Sequence, residues 1–185
     1  NSASKAIFFL ILSLPISHAI AQRTEKIEYK DNVIYVGQVS GISDPKKHGR
    51  GDLTWPDGSG YSGDWVNDEM HGRGVYKFRS GNIYDGEWVK GKRHGAGTYT
   101  YADGSLYKGE FANNEFNGTG TYTHANGNLY IGEFADGKKN GEGLYTWRSG
   151  NEYVGEFVND KRHGTGTWSS SNGEQYNGDW VNDEM

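Results

Sequence analysis

The chain has 185 residues, of which 24 are acidic and 19 are basic, so its formal net charge is −5. It contains 29 glycines and no cysteine, only 34% of its residues are hydrophobic, and Trp, Tyr and Phe make up 14%. This composition argues against an α/β enzyme with an aliphatic core, and it excludes disulfides, thiolate metal sites and a cysteine nucleophile. The acidic balance argues against nucleic acid as a partner, because phosphate binding depends on clustered Lys and Arg.

The first 21 residues have the pattern of an export signal. Lys5 precedes an apolar run over residues 6–14, and Ala19-Ile20-Ala21 places small residues at the two positions that a signal peptidase reads. We therefore predict a signal peptide over residues 1–21, cleaved after Ala21, and an exported protein, periplasmic or extracellular. A retained membrane anchor is the alternative, although the run is shorter than the ~20 residues that a spanning helix needs.

A lead-in over residues 22–34 precedes a tandem repeat. Tyr-x-Gly recurs every 23 residues from position 61, after one early copy, with leading tyrosines at Tyr35, Tyr61, Tyr84, Tyr107, Tyr130, Tyr153 and Tyr176. We predict about seven repeats over residues 35–185, of which the first carries an insertion, as a terminal capping repeat can. The last repeat is truncated: it ends in Gly178–Met185, which is identical to Gly63–Met70, so we expect the natural protein to continue.

Each repeat is predicted to form two strands. Tyr61, Gly63 and Trp65 fall on one face at a period of two. Asp57-Gly58 and its equivalents supply the positive φ angles of tight hairpin turns, whereas connections such as residues 89–95 are predicted to be longer. Both connections are short enough to join neighbouring antiparallel strands. We therefore predict an all-β fold, an elongated, twisted, single antiparallel sheet with a meander of about thirteen strands.

The aromatic residues follow the same register. Of the 24 that come after residue 21, all but Tyr29 and Phe116 fall at four repeat positions. Each buried ring removes ~150–250 Å² from water at about 25 cal/mol per Å², so this face is expected to dominate stability. The predicted structural aromatic face consists of Tyr61, Trp65, Tyr84, Trp88, Tyr107, Phe111, Tyr130, Phe134, Tyr153 and Phe157. Since a one-sided aromatic sheet needs a second layer, we expect a homodimer or a protein partner there.

Two regularly spaced sets of titratable residues, one of histidines and one of acids, are weak candidates for a metal or catalytic site. Histidines stand at equivalent turns about 10 Å apart, too far apart to share a zinc ion easily, so we predict that they pack the turns; they are His48, His71, His94 and His163. The acids are equivalent and evenly spaced, unlike a catalytic pair, and are predicted to form a solvated face; they are Asp64, Glu87, Glu110, Glu133, Glu156 and Asp179. We therefore predict no enzyme activity and no catalytic, metal or cofactor site.

Basic residues cluster at the predicted longer turns. Lys138, Lys139, Lys161 and Arg162 fall on two adjacent turns, about 10 Å apart. A basic residue close to an anionic surface contributes about 1 kcal/mol, so these four are candidate contacts for anionic phospholipid. A solvated edge is the alternative, because charged runs in turns are usually exposed to water.

The unit from Tyr130 to Tyr145 and the equivalent units of the other repeats resemble the MORN (membrane occupation and recognition nexus) repeat. The resemblance covers residues 35–185. The resemblance implies a non-catalytic scaffold for protein–protein interaction or dimerisation, and arrays of this family are also associated with membranes. One alternative is a peripheral phospholipid-binding module of a larger protein, such as one with a phosphatidylinositol-phosphate kinase domain, which is absent here. Another is a secreted array that binds glycans or cell wall, although the 23-residue period fits the MORN pattern instead.

Overall fold

The computed structural model describes residues 6–8 and 23–185, and every regular element within them is a β-strand. The chain divides into two compact units, residues 1–92 and residues 93–185. Within each unit, every strand pairs antiparallel with the next strand in sequence. The predicted all-β meander of hairpins is therefore confirmed.

The first unit begins with strands that precede the repeats. Its strands are β1 (Ala6–Phe8), β2 (Arg23–Glu28), β3 (Ile34–Ser40), β4 (Lys46–Thr54), β5 (Gly60–Val66), β6 (Glu69–Lys77) and β7 (Ile83–Val89). β1 pairs with β2, with Ile7 opposite Ile27. Apart from β1, the predicted signal peptide lies outside the described residues.

The second unit repeats one hairpin pattern. Its strands are β8 (Lys92–Thr100), which starts at the unit boundary, β9 (Leu106–Ala112), β10 (Glu115–Thr123), β11 (Leu129–Ala135), β12 (Lys138–Thr146), β13 (Glu152–Val158), β14 (Lys161–Ser169) and β15 (Gln175–Trp180). Tyrosines face one another across the strands, so that Tyr130 of β11 lies opposite both Tyr122 and Tyr145. The aromatic side chains of neighbouring strands consequently share one face.

The tight turns lie where the longer connections were predicted. β5 and β6 are joined by Asn67 and Asp68 alone, whose φ angles of 49° and 72° are those of a two-residue hairpin turn. The connection that contains Asp57-Gly58 is longer and spans residues 55–59. The predicted assignment of turn lengths is therefore wrong. Asn and Asp tolerate positive φ, and they form the turn that the sequence analysis assigned to Asp-Gly.

Glycines make room for the leading tyrosine of each repeat. A Cβ atom added to Gly63 or Gly74 would lie 2.5 Å or 2.3 Å from the hydroxyl oxygen of Tyr61, so the ring packs directly on backbone. The Tyr61 hydroxyl donates a hydrogen bond to the carbonyl oxygen of Asp64 at 2.9 Å. The Trp65 indole N–H donates to the carbonyl of Gly51 at 3.0 Å. The spacing of tyrosine and glycine in the repeat follows from these contacts.

Candidate functional site

The ten residues of the predicted structural aromatic face are all buried, none with more than 6% of its surface exposed. Their rings meet edge to face. Tyr61 lies 5.0 Å from Trp65 in its own repeat and 5.4 Å from Trp88 in the next repeat, measured between ring centroids. The row therefore forms a core within each unit, and its own rings rather than a partner cover most of its surface.

Two further repeat positions, one on the second strand of each hairpin and one just after it, place mostly aromatic side chains on the same face. These side chains are only partly buried, except for Tyr99 and for Leu53, which fills one of these positions in the first repeat. We call this set the outer aromatic row; in the second unit it comprises Tyr99, Tyr101, Tyr122, His124, Tyr145, Trp147 and Trp168. From Tyr99 to Trp147 the ring centroids follow one another at 4.5–6.1 Å, with interplanar angles of 49–58°. These positions were predicted to lie on the aromatic face, but they were not predicted to form a site.

One further repeat position, which we call the cation position, faces the rings. Its occupants, 23 residues apart, are Lys47, Met70, Arg93, Phe116, Lys139 and Arg162. The ammonium of Lys139 lies 4.9 Å from the ring centre of Tyr145, and the guanidinium carbon of Arg162 lies 4.2 Å from that of Trp180, both within cation–π range. Phe116, an outlier of the aromatic pattern, stacks on Tyr107 at 3.7 Å. This position was not predicted, although its period of 23 residues is visible in the sequence.

The four candidate phospholipid contacts fall into two different environments. Lys138 and Lys161 are exposed at the starts of β12 and β14, whereas Lys139 and Arg162 are partly buried against aromatic rings. Burial lowers the pKa of Lys139, an effect that Asp160 opposes. The structure does not bring the four side chains together as one surface.

The cation position is also tied to the turn of the following repeat. Its backbone N–H donates to a turn carboxylate or amide oxygen at 2.9–3.0 Å in four cases: Lys47 to Asp68, Arg93 to Asn114, Lys139 to Asp160 and Arg162 to Asp183. Where the cation position is apolar, as at Met70 and Phe116, the equivalent turn residues are Gly91 and Gly137, which donate only backbone hydrogen bonds. The two positions therefore vary together.

The regularly spaced set of acids has a structural role that was not predicted. The Glu110 carboxylate accepts the backbone N–H of Thr119 at 3.1 Å, which lowers its pKa. Thr119 follows Gly118, which has a φ of 62° at the point where the strand register shifts. In the first repeat Gln38 accepts the equivalent N–H, from Arg50, at 2.8 Å. An acceptor oxygen at this position is thus what the fold needs, and it need not be charged.

Within residues 6–8 and 23–185, no group of three or more His, Cys, Asp or Glu side chains is placed to hold a metal ion. The regularly spaced histidines stand on separate strands, with His71 on β6 and His94 on β8. The same residues form no helix that is long and apolar enough to cross a membrane.

Two shallow hollows open between the outer aromatic row and the cation position in the second unit. The first, of about 250 Å³, is lined by Arg93, Tyr99, Tyr101, Asn114, Glu115, Phe116, Asp136 and Gly137. The second, of about 180 Å³, shares Phe116 and Gly137 and adds Tyr122, His124, Lys139 and Asp160. Burial, and then the charge of Lys139, lower the pKa of His124, an effect that Asp103 opposes.

Comparison with known proteins gives one family match and a structural likeness. The sequence profile of the MORN repeat matches residues 46–60, 61–83, 84–106, 107–129, 130–152 and 153–175. No curated protein matches the sequence significantly. The SAS-4 (dCPAP) TCP domain of Drosophila melanogaster, solved in complex with a proline-rich motif of Ana2 (dSTIL), aligns over 93% of this chain and 99% of that chain, with 13% identity and a TM-score of 0.51. The CPAP G-box domain aligns over 96% and 100%, with 12% identity and a TM-score of 0.48.

Proposed function

The chain belongs to the MORN repeat family, and we propose that it is a non-catalytic scaffold that binds a protein partner on its aromatic face. The observation that carries this proposal is the outer aromatic row, most of which remains partly exposed although Tyr107, Tyr130 and Tyr153 beside it are fully buried. Partly exposed Tyr and Trp rings offer large contact areas with few rotatable bonds, which is why such residues are enriched at protein interfaces.

The form of the face favours an extended segment of a partner. The two hollows are shallow and lie side by side, since both border Phe116 and Gly137. The Drosophila TCP domain, a solved structure with the same type of fold, is bound to a proline-rich motif. We therefore propose that a peptide segment, rather than the surface of a globular domain, lies on the outer aromatic row.

A peptide-display selection with the full chain tests this proposal. Peptides that enrich are expected to bind the Tyr122→Ala variant at least tenfold more weakly, as for loss of an interface hot spot. Thr121→Ala is the matched control, because Thr121 precedes Tyr122 on β10 and faces the other side of the sheet. Failure of any peptide to enrich, or equal binding by Tyr122→Ala, would refute the proposal. Competition by soluble glycans would favour the glycan-binding alternative.

A second copy of the chain is the other protein partner that we propose to test. Sedimentation that depends on protein concentration, and that Tyr122→Ala abolishes, would identify the partner as a homodimer. A monomer at all concentrations would leave the peptide segment as the partner.

Export and membrane attachment are two additional proposals. Export is supported by the pattern of residues 1–21, and protein recovered from its natural host is expected to start at Gln22 in mass spectrometry; an intact N-terminal segment would contradict it. Attachment to an anionic membrane is supported by the exposed Lys138 and Lys161 at adjacent hairpins.

A further inference from the structure

The outer aromatic row of the second unit has the pitch of a polyproline II helix. Equivalent rings of successive repeats are two strands apart, which is about 9.6 Å at ~4.8 Å per strand. A polyproline II helix rises ~3.1 Å per residue with three residues per turn, so the same side recurs after about 9.3 Å. A segment in this conformation that crosses the strands would therefore present every third residue to one repeat after another.

The two hollows are placed to receive those residues. One hollow borders Tyr99 and Tyr101, and the next borders the equivalent Tyr122 and His124. The rings within each pair are in contact, with centroids 4.7 Å and 4.5 Å apart, and are inclined at 58° and 50°, so each pair presents an angled aromatic surface rather than a flat stack. Flat pyrrolidine rings dock in such aromatic-lined grooves. Gly137 lies beside both hollows, and a Cβ atom added there would meet nothing within 4 Å, so this side stays open.

Lys139 indicates the charge of the ligand. Lys47 and Arg162, at equivalent positions, form ion pairs with Asp68 and Asp183 at 3.3 Å and 3.1 Å. The Lys139 ammonium has no carboxylate within 4.0 Å in the described part of the chain, although it lies partly buried over three aromatic rings. Burial lowers the pKa of Lys139 despite the attraction of Asp160, and a carboxylate from a ligand at ion-pair distance would compensate the desolvated ammonium.

We propose that the second unit binds an acidic, proline-rich segment in the polyproline II conformation. The segment crosses the strands, sets residues spaced by three into successive hollows, and places a carboxylate on Lys139. This inference rests on the proposed function, because it specifies the chemistry of the partner on the same face.

Calorimetric titration of the full chain with synthetic peptides provides the test. A peptide of repeated Pro-Pro-Glu triplets is expected to bind, and a Pro-Pro-Lys peptide to bind about tenfold more weakly, the factor for one charge-assisted contact. A peptide with glycine in place of proline is also expected to bind more weakly, because it must be ordered on binding. This comparison uses the unaltered protein, so it does not depend on whether any variant folds.

Variants then locate the contact. Lys139→Met, which keeps a long apolar side chain on the rings, is expected to abolish the preference for Glu over Lys peptides. Lys138→Met is the matched control, because the neighbouring Lys138 is exposed, and it should retain the preference. Equal binding of the Glu and Lys peptides, or a preference that survives Lys139→Met, would overturn the inference. If display-selected peptides bind through Tyr122 but the proline triplets do not, the inference fails while the proposed function stands.

Discussion

Arg162 and Asp183 are joined by four hydrogen bonds across neighbouring repeats. The backbone N–H and the Nε–H of Arg162 both donate to Asp183 Oδ1, at 3.0 Å and 3.1 Å. Arg162 Nη2 donates to the Asp183 carbonyl oxygen, and the Asp183 N–H donates to the Arg162 carbonyl oxygen, each at 3.0 Å. The same guanidinium lies over Trp180. One residue pair therefore fixes a turn, a strand and a ring against one another.

Removing this acceptor is expected to destabilise the last repeats. Asp183→Ala should lower the free energy of unfolding by about 1–2 kcal/mol, because two donors of Arg162 lose their acceptor in a partly exposed site. Asp183→Asn is the matched control: it keeps an acceptor oxygen, as Asn114 does naturally for Arg93, and should cost less. Urea denaturation measures both, and equal losses would show that the charge alone matters.

Acid provides an independent check on the same pair. Burial alone raises the pKa of Asp183, but hydrogen bonds from Arg162 outweigh it and hold the pKa below 3.8. The stability that this carboxylate contributes is therefore present above pH 3.8 and is lost as the pH falls through the lowered folded-state pKa. Asp183→Asn should lack this component of acid destabilisation. An identical pH profile for the two proteins would contradict the prediction.

The leading tyrosines and the glycines beneath them should be equally intolerant of change. Tyr107→Ala is expected to cost about 3–5 kcal/mol, as for other buried aromatics. Gly120→Ala should also destabilise, since its Cβ would lie 2.6 Å from the Tyr107 ring. Lys108→Ala is the control, because Lys108 is exposed on the opposite face, and it should fall within about 0.5 kcal/mol of the parent. A Gly120→Ala midpoint equal to that of the parent would show that the ring can move aside.

Alkaline pH should unfold the protein before its buried tyrosines ionise. Burial raises the pKa of Tyr153 to about 12, and it also raises the pKa of Tyr61, Tyr107 and Tyr130 well above their ordinary value. Stability from these neutral hydroxyls is present below pH 10, the ordinary pKa, and is lost as the pH rises above it, because unfolded tyrosines release protons first. Tyrosinate absorbance should therefore rise together with loss of β-structure circular dichroism. Smooth titration near pH 10 in a folded protein would contradict this.

The strands and the buried face were predictable, because the alternation of aromatic and polar residues at a period of two determines both. The turns were not, because Asn67-Asp68 and Asp57-Gly58 carry similar turn signals, and only the backbone shows which connection has two residues. The position of the two-residue turn also determines which side chains reach the aromatic face, because it determines where the next strand begins. Lys138 and Lys139 look like one basic cluster in the sequence, but consecutive residues of a strand point to opposite faces. The start of β12 therefore sends Lys139 onto the rings and leaves Lys138 in water.

The contrast between exposed and ring-covered basic residues predicts how the protein should bind anionic membranes. The exposed residues Lys138 and Lys161 can each contribute about 1 kcal/mol at an anionic surface, whereas the charges of Lys139 and Arg162 lie over aromatic rings. We expect weak binding to vesicles that contain phosphatidylserine, lost at high salt because screening shortens the range of the attraction. Changing Lys138 and Lys161 together to Gln should remove it, and changing Lys139 and Arg162 to Gln should not. Cosedimentation with charged and neutral vesicles measures this, and binding that survives the first pair of changes, or that is as strong on neutral vesicles, would exclude these hairpins as a lipid-binding site.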